Sequence, residues 1–181
     1  MAAKKTTPQV HIDARSPIHL SANRSGKAGQ ELSDFMWHMV AISDLLEDVR
    51  RIWAEGMGVS GPQWLILMAI GDAHGERSIS VGEVADKIRV KSTFVSAETK
   101  SLEMAGLVRR TTSPVDARIV LLSLTEKARK EMEKLAERRK QLQESIFEGI
   151  SERAVNETKK TLATLNRRIA RAVQQLRTDR L

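Results

Sequence analysis

The chain has 181 residues, 30 Lys+Arg against 23 Asp+Glu, a net charge of +7 and no cysteine. Its length suits one domain, or a small domain with helical extensions, and leaves no room for a large multidomain enzyme. The missing cysteine excludes disulfides, iron–sulfur clusters, thiolate metal sites and cysteine nucleophiles.

A hydrophobic content of 41% suffices for a core, while 29% charged residues and no apolar run of membrane-spanning length point away from a membrane protein. The opening MAAKKTTPQV lacks the apolar stretch of a secretory signal, so a soluble, cytoplasmic protein is expected. The basic excess favours an anionic partner such as nucleic acid. It is concentrated in residues 1–30, 78–125 and 126–181 and interrupted by an acidic stretch over 31–60.

Residues 1–30 mix Thr, Ser, Pro, Gly and Lys without a period and read as a flexible basic arm. From Leu32 the apolar residues Leu32, Phe35, Met39, Ile42, Leu46, Val49 and Trp53 step by three and four, which predicts one long amphipathic helix within 31–58. Gly56 and Gly58 end it, and Ser60-Gly-Pro-Gln63 has the form of a capping box opening a second helix. Trp64, Leu65, Leu67, Met68 and Ile70 make that helix apolar on much of its circumference, as a buried central element is, until a loop at His74-Gly75.

Ser80-Val-Gly-Glu83 is a second capping box, starting a short helix with Val81, Val84, Ala85 and Ile88 inward. After a turn at Arg89-Val90 another helix begins between Lys91 and Thr93 and runs to Ala105, closed by Gly106. This pair is a candidate helix-turn-helix. Leu107–Ser113 and Ile119–Leu124, separated by Pro114-Val-Asp-Ala117, read as a two-stranded wing. Thr125 caps a helix with Ala128, Met132, Leu135, Leu142 and Ile146 on one face and Arg139 among them. Gly149 breaks it, Ser151 restarts the chain, and Val155, Leu162, Leu165, Ile169, Ala172 and Leu176 form a last seam.

The expected fold is mainly α (α+β): an arm over 1–30, a first helix over 31–58, a winged helix-turn-helix over 59–125 and C-terminal helices over 126–181. The apolar stripes exceed what so small a module covers, and a homodimer is the natural solution.

In a helix-turn-helix the second helix enters the major groove with short polar or basic side chains. Lys91, Ser92, Thr93, Ser96 and Lys100 suit that task, with Val95, Thr99 and Leu102 turned inward. The same pattern fits a winged helix used for protein contacts, with Ser and Thr as caps and Lys as solvent cover. Arg109 and Arg110 on the wing tilt the balance toward double-stranded DNA. Arg118 at the hairpin tip is long enough to enter a minor groove, and Asp116 either pairs with it or caps the turn.

The order of elements, with Val59-Ser-Gly-Pro-Gln-Trp64, Val81-Gly-Glu-Val-Ala85, Leu102-Glu-Met-Ala-Gly-Leu-Val-Arg-Arg110, Asp116-Ala-Arg118 and Leu122-Ser-Leu-Thr125, resembles the multiple antibiotic resistance regulator (MarR) family from about Leu32 to the C-terminus. The resemblance implies a dimer joined through its first and last helices. Here Leu32, Phe35, Leu162, Leu165, Ile169 and Leu176 would form the interface. It further implies a pseudo-palindromic operator and, in most members, repression relieved by a small molecule. Ala117 stands where many members carry a second wing Arg, and Ala97 where an Arg is common. Glu98 occupies a slot that is usually apolar, and an Arg partner is expected for it.

Family members that bind ligands use a cleft between the dimer and winged lobes, often for aromatic acids. His38, Met39, Ile42, Trp64 and Met68 would wall such a cleft, and Arg50 would hold a carboxylate or phosphate, with Arg24 and Lys27 as further cations. The same side chains suit an ordinary core and surface. If there is an effector, the family points to an aromatic acid or its coenzyme A thioester.

No enzyme motif is present, neither P-loop, GxGxxG nor HExxH. His11, His19, His38 and His74 show no metal-ligand spacing, so neither a metal nor a cofactor is expected. The remaining alternatives are a sequence-indifferent architectural DNA-binding protein and a regulator without a ligand.

Overall fold

The computed structural model describes residues 27–73 and 78–178. The arm before Lys27, including His11, His19 and Arg24, lies outside the described residues, as does the loop at His74-Gly75. The chain divides into two compact units, one ending at Ile52 and the other beginning at Trp53.

Helix α1 (Lys27–Gly56) starts five residues before Leu32 and inside the stretch read as arm. Much of its apolar surface is uncovered: Leu32, Trp37, Ile42, Leu45, Leu46 and Ile52 are all at least half exposed, while Met39, Val49 and Trp53 are half-buried.

The second unit is built around α2 (Gly61–Gly71), whose Ile66, Leu67, Ala69 and Ile70 are buried. Around it pack α3 (Val81–Ile88) and α4 (Ser92–Met104), contributing Val84, Ala85, Val95 and Leu102. Strands β2 (Val108–Thr112) and β3 (Val120–Leu124) add Val108 and Leu122, and α5 (Glu126–Lys134) adds Ala128. Thr99 is the one polar member of this interior, and its hydroxyl is satisfied by donating to the Val95 carbonyl at 2.8 Å.

The sheet has three strands, not two. A short β1 (Ile79–Ser80) pairs antiparallel with β3, giving the order β1-β3-β2, with Ile79 opposite Leu122 and Val108 opposite Leu124. Two residues, the second of them the Ser80 cap itself, carry no alternation to announce a strand.

The predicted caps are present. Ser60 Oγ accepts from the Gln63 amide at 3.3 Å while Gln63 Oε1 accepts from the Ser60 amide at 3.1 Å. Ser80 and Glu83 exchange the same pair at 3.1 and 2.8 Å, and Thr125 Oγ1 accepts from the Ala128 amide at 3.2 Å. The turn between α3 and α4 places Arg89 in the left-handed region (φ 58, ψ 46), so that the Val90 amide reaches back to the Ala85 carbonyl at 3.0 Å. That tight reversal, made without a glycine, sets where α4 begins.

The helix after Thr125 is two helices. α5 stops at Lys134, Leu135 takes φ −91 and ψ −9, and α6 (Ala136–Phe147) resumes from the Leu135 carbonyl, which accepts from the Arg139 amide at 3.0 Å. At the break the Leu135 amide bonds three residues back, to Met132 at 3.3 Å, the tightened spacing that ends a helical turn. Gly149 (φ 74) then separates α6 from α7 (Glu152–Thr178), whose first turn is capped by Ser151 Oγ accepting from the Ala154 amide at 3.2 Å.

The Ser80–Glu83 box generates a test. Hydrogen bonds from the Ser80 side chain and backbone hold the Glu83 carboxyl below its ordinary range. Glu83 therefore contributes stability that is fully present above its unfolded pKa and lost as pH falls through the folded one. Ser80→Ala should cost about 1 kcal/mol in chemical denaturation at neutral pH. Glu83→Gln should show a deficit that shrinks as the pH is taken below the usual carboxylate range; a deficit constant down to pH 3 would remove the carboxylate from the box.

Candidate nucleic-acid interface

Helix α4 turns Val95, Thr99 and Leu102 into the core, so residues on its opposite side are fixed in direction by that burial. Ser92, Thr93, Ala97, Lys100 and Ser101 are exposed, and Lys91 precedes the helix as its N-cap without a side-chain bond. Ser96 is half-buried. Of the proposed groove residues, Lys91, Ser92, Thr93 and Lys100 thus stand in solvent and Ser96 stands at the edge.

The two wing arginines part ways. Arg109 is exposed, as is Thr111, while Val108 and Arg110 point to the inner side of β2, the alternation a strand imposes. The Arg110 side chain is only 13% exposed and closes onto α4. Its Nη1 donates to the Ser96 carbonyl at 3.1 Å and, more closely, to Thr99 Oγ1, and its Nε lies 3.6 Å from Glu103 Oε2. Glu103 Oε1 also accepts from the Arg110 backbone amide at 3.2 Å. Arg110, expected with Arg109 among the DNA-side residues, is instead engaged within the module: a guanidinium with three partners on α4 braces the helix against the sheet.

Glu98 is half-buried as expected, but its partner is not an arginine. Gln63 Nε2 donates to Glu98 Oε2 at 2.9 Å, while the other end of the same amide closes the Ser60 capping box. One side chain therefore ties the start of α2 to the middle of α4.

The wing tip is an ordered turn. The Ser113 amide donates to the Ile119 carbonyl at 2.9 Å, the Ile119 amide to the Asp116 carbonyl at 3.0 Å, and the Arg118 amide to Asp116 Oδ1 at 2.9 Å. Of the two roles open to Asp116, capping the turn is the one seen. The Arg118 side chain is left exposed. Lys91, Lys100, Arg109 and Arg118 take part in no ion pair among the described residues, so four cations on this module await an anion.

The residues expected to hold a ligand are less uniform. His38 and Ile42 are exposed on α1 and Met39 is half-buried. Arg50 is engaged by Glu47 in a close ion pair. Trp64 is buried, with the Arg139 guanidinium 5.8 Å above its ring centroid. Met68 is half-buried and lines a cavity of about 310 Å³ together with Gly71, Leu124, Met132, Arg129 and Arg139. Arg139 and Arg129 were not among the expected ligand residues; the signal for the first was its place as the one charged residue in an otherwise apolar seam. Lys27 begins α1 and is exposed. Among the described residues no three His, Asp or Glu come together in a way that would hold a metal ion, and no helix is long and apolar enough to cross a membrane.

The expected dimer residues are open to solvent in the single chain. Leu32 and Phe35 on α1 are 50% and 38% exposed, Leu162, Ile169 and Leu176 on α7 are 37%, 50% and 64%, and Leu165 is half-buried.

Comparison with known proteins places this architecture. Residues 57–119, which hold the helix-turn-helix and the wing as far as the start of β3, match the sequence model of the MarR family. A repressor of the helix-turn-helix type from Bacillus subtilis (strain 168), MdtR, is 27% identical over 125 residues, 69% of this chain and 79% of MdtR. Among solved structures, S. aureus MepR in its DNA-binding conformation is similar with a TM-score of 0.67 at 18% identity, covering 75% of this chain and 98% of MepR. CouR from Rhodococcus jostii RHA1, bound to p-coumaroyl-CoA, is similar with a TM-score of 0.64 at 21% identity, covering 73% and 91%. The related sequences are regulators rather than enzymes. With a three-stranded sheet, a braced second helix and unpaired cations on α4 and the wing, residues 57–119 are similar to the MarR family of winged helix-turn-helix transcriptional regulators.

Proposed function

We propose that the protein is a homodimeric repressor that binds a pseudo-palindromic operator and is released from it by a small molecule. The observation that carries the DNA half of this reading is the division of labour between the two wing arginines. Arg110 is consumed in holding α4, whereas Arg109, Arg118, Lys91 and Lys100 are left without anionic partners. Ser92, Thr93, Ser96 and Lys100 serve the major groove with Lys91 on a phosphate, Arg109 neutralises a second phosphate, and Arg118 enters the minor groove from a turn that Asp116 holds. Arg110 acts on DNA through the position of α4.

Dimerisation is supported by the uncovered apolar stripes of α1 and α7, through Leu32, Phe35, Leu162, Leu165, Ile169 and Leu176. Repression is supported by the relationship to MdtR. An aromatic carboxylate or its coenzyme A thioester is the effector class, supported by the likeness to CouR with its aryl-CoA. Within the winged unit, Trp64 and Met68 on α2 are the ligand residues of this reading. A thermal shift against a panel of such acids and thioesters tests it, because a ligand that binds only the folded state raises its stability.

Arg118→Ala should lower operator affinity by about 1–3 kcal/mol, measured at near-physiological salt, with the sedimentation coefficient unchanged. An unaltered affinity would show that the wing tip stays out of the groove. Leu165→Asp combined with Ile169→Asp should convert the dimer to monomer in sedimentation velocity and abolish binding to a duplex with two half-sites. A folded dimer persisting in the double variant would place the interface elsewhere.

A further inference from the structure

The outward side of α4 is more apolar than groove chemistry by charge alone requires. Phe94 is 37% exposed, whereas Val95, Thr99 and Leu102 on the same helix are buried, and Ala97 stands exposed one turn later. Thr93 and Ala97, four residues apart, stand opposite Val95, Thr99 and Leu102, and Phe94, three before Ala97, stands exposed on the flank of the same side. The helix contains no arginine, its two carboxylates are occupied by Gln63 and Arg110, and its one cation is Lys100. Its hydrogen-bonding readers are therefore short hydroxyls and Lys100, and the apolar Phe94 and Ala97 lie between Lys91 and Lys100, both exposed and unpaired.

In the major groove the group that such a patch complements is the C5 methyl of thymine, the one apolar feature that a base pair displays there. We propose that Phe94 and Ala97, with the methyl of Thr93, are specificity-determining residues that read thymine methyls in the operator half-site. The flanking lysines supply the phosphate contacts that hold the patch against the groove wall. This rests on the operator-binding reading above, and it adds to it the base that is read and the means of reading.

Uracil provides the test, since it pairs as thymine does and keeps the O4 acceptor but lacks the methyl. Duplexes bound by the full-length protein are first selected from a random pool at near-physiological salt, and the tightest is remade with deoxyuridine at each thymidine in turn. The expected result is an affinity loss of about fourfold for a methyl in contact, confined to one or two positions of each half-site. In the Phe94→Ala and Ala97→Ser variants that thymine-to-uracil ratio should fall toward one at the corresponding position. Ala97→Ser sits at an exposed helical site and keeps the cycle readable if the Phe94 variant does not fold. Equal binding of thymine and uracil duplexes throughout, or a selected half-site without thymine, overturns the inference while leaving operator binding intact. Failure to select any sequence appears before uracil is introduced; it removes the operator reading and this inference with it.

Discussion

The contact on which the DNA-facing geometry depends is that of Arg110 with α4. A recognition helix two turns from its own N-cap has freedom to roll unless something fixes its far side. Here a guanidinium from β2 reaches the Ser96 carbonyl, the Thr99 hydroxyl and the Glu103 carboxylate at once. Hydrogen bonds to a charged group contribute about 1.5–3 kcal/mol each where water is largely excluded, and this arginine is mostly covered. The partners are not interchangeable: Thr99 is buried and already donates its proton to Val95, so its oxygen is free to accept from Arg110. Register then links the brace to the sheet, because Arg110 lies opposite Leu122, which is fully buried and itself opposite Ile79 of β1. Rotation of α4 would have to break the brace or shift the wing.

Gln63 supplies the complementary restraint from the other side of the module. Its amide has two ends, and each is used: the oxygen completes a local cap and the nitrogen reaches Glu98, 35 positions along the chain. A carboxylate in a slot where an apolar residue is usual would carry a desolvation cost if left alone. The amide satisfies it with a neutral donor and introduces no second buried charge. Thus α4 is held by Arg110 near its middle and end and by Gln63 through Glu98, leaving the side that carries Thr93, Ala97 and Lys100 free.

Much of this was legible from local rules. The caps at Ser60, Ser80 and Thr125 follow from side chains that reach only three residues, and the inward set Val95, Thr99 and Leu102 follows from helical period. What escaped depends on partners remote in sequence. Glu98 announces a missing counter-group but not that Gln63 is near. Arg110 could have been placed by strand alternation, since it shares a face with the buried Val108 and not with Arg109. Reading two adjacent arginines as one basic patch ignored a period that the strand had already set. The break at Leu135 escaped because nothing in the residues there is a breaker: neither glycine nor proline marks it. The proposed ligand residues are the least legible, because a Trp or Met at helical spacing looks the same in a core as in a cavity wall, and Arg50 finds a carboxylate one turn away at Glu47.

The long helices set the terms on which the module exists. Helix α7 has 27 residues, about 40 Å of helix, and buries none of them in the single chain. Intrinsic propensity alone leaves such helices marginal, and most helical stability comes from packing an apolar face. The three leucines and one isoleucine of α7 expose area that costs free energy in water, roughly 25 cal/mol for each Å² that a partner would remove. In the proposed dimer that area is the driving force for association, and folding of the C-terminal helix is inseparable from it. The winged module has a different source of stability, a closed interior from Ile66 to Ala128 with its polar member satisfied. The two sources are distinguishable by concentration: a midpoint set by association rises with protein concentration, while one set by the module's own core does not. In the proposed dimer, that separation would let the winged module keep its geometry while the helices joining two copies rearrange.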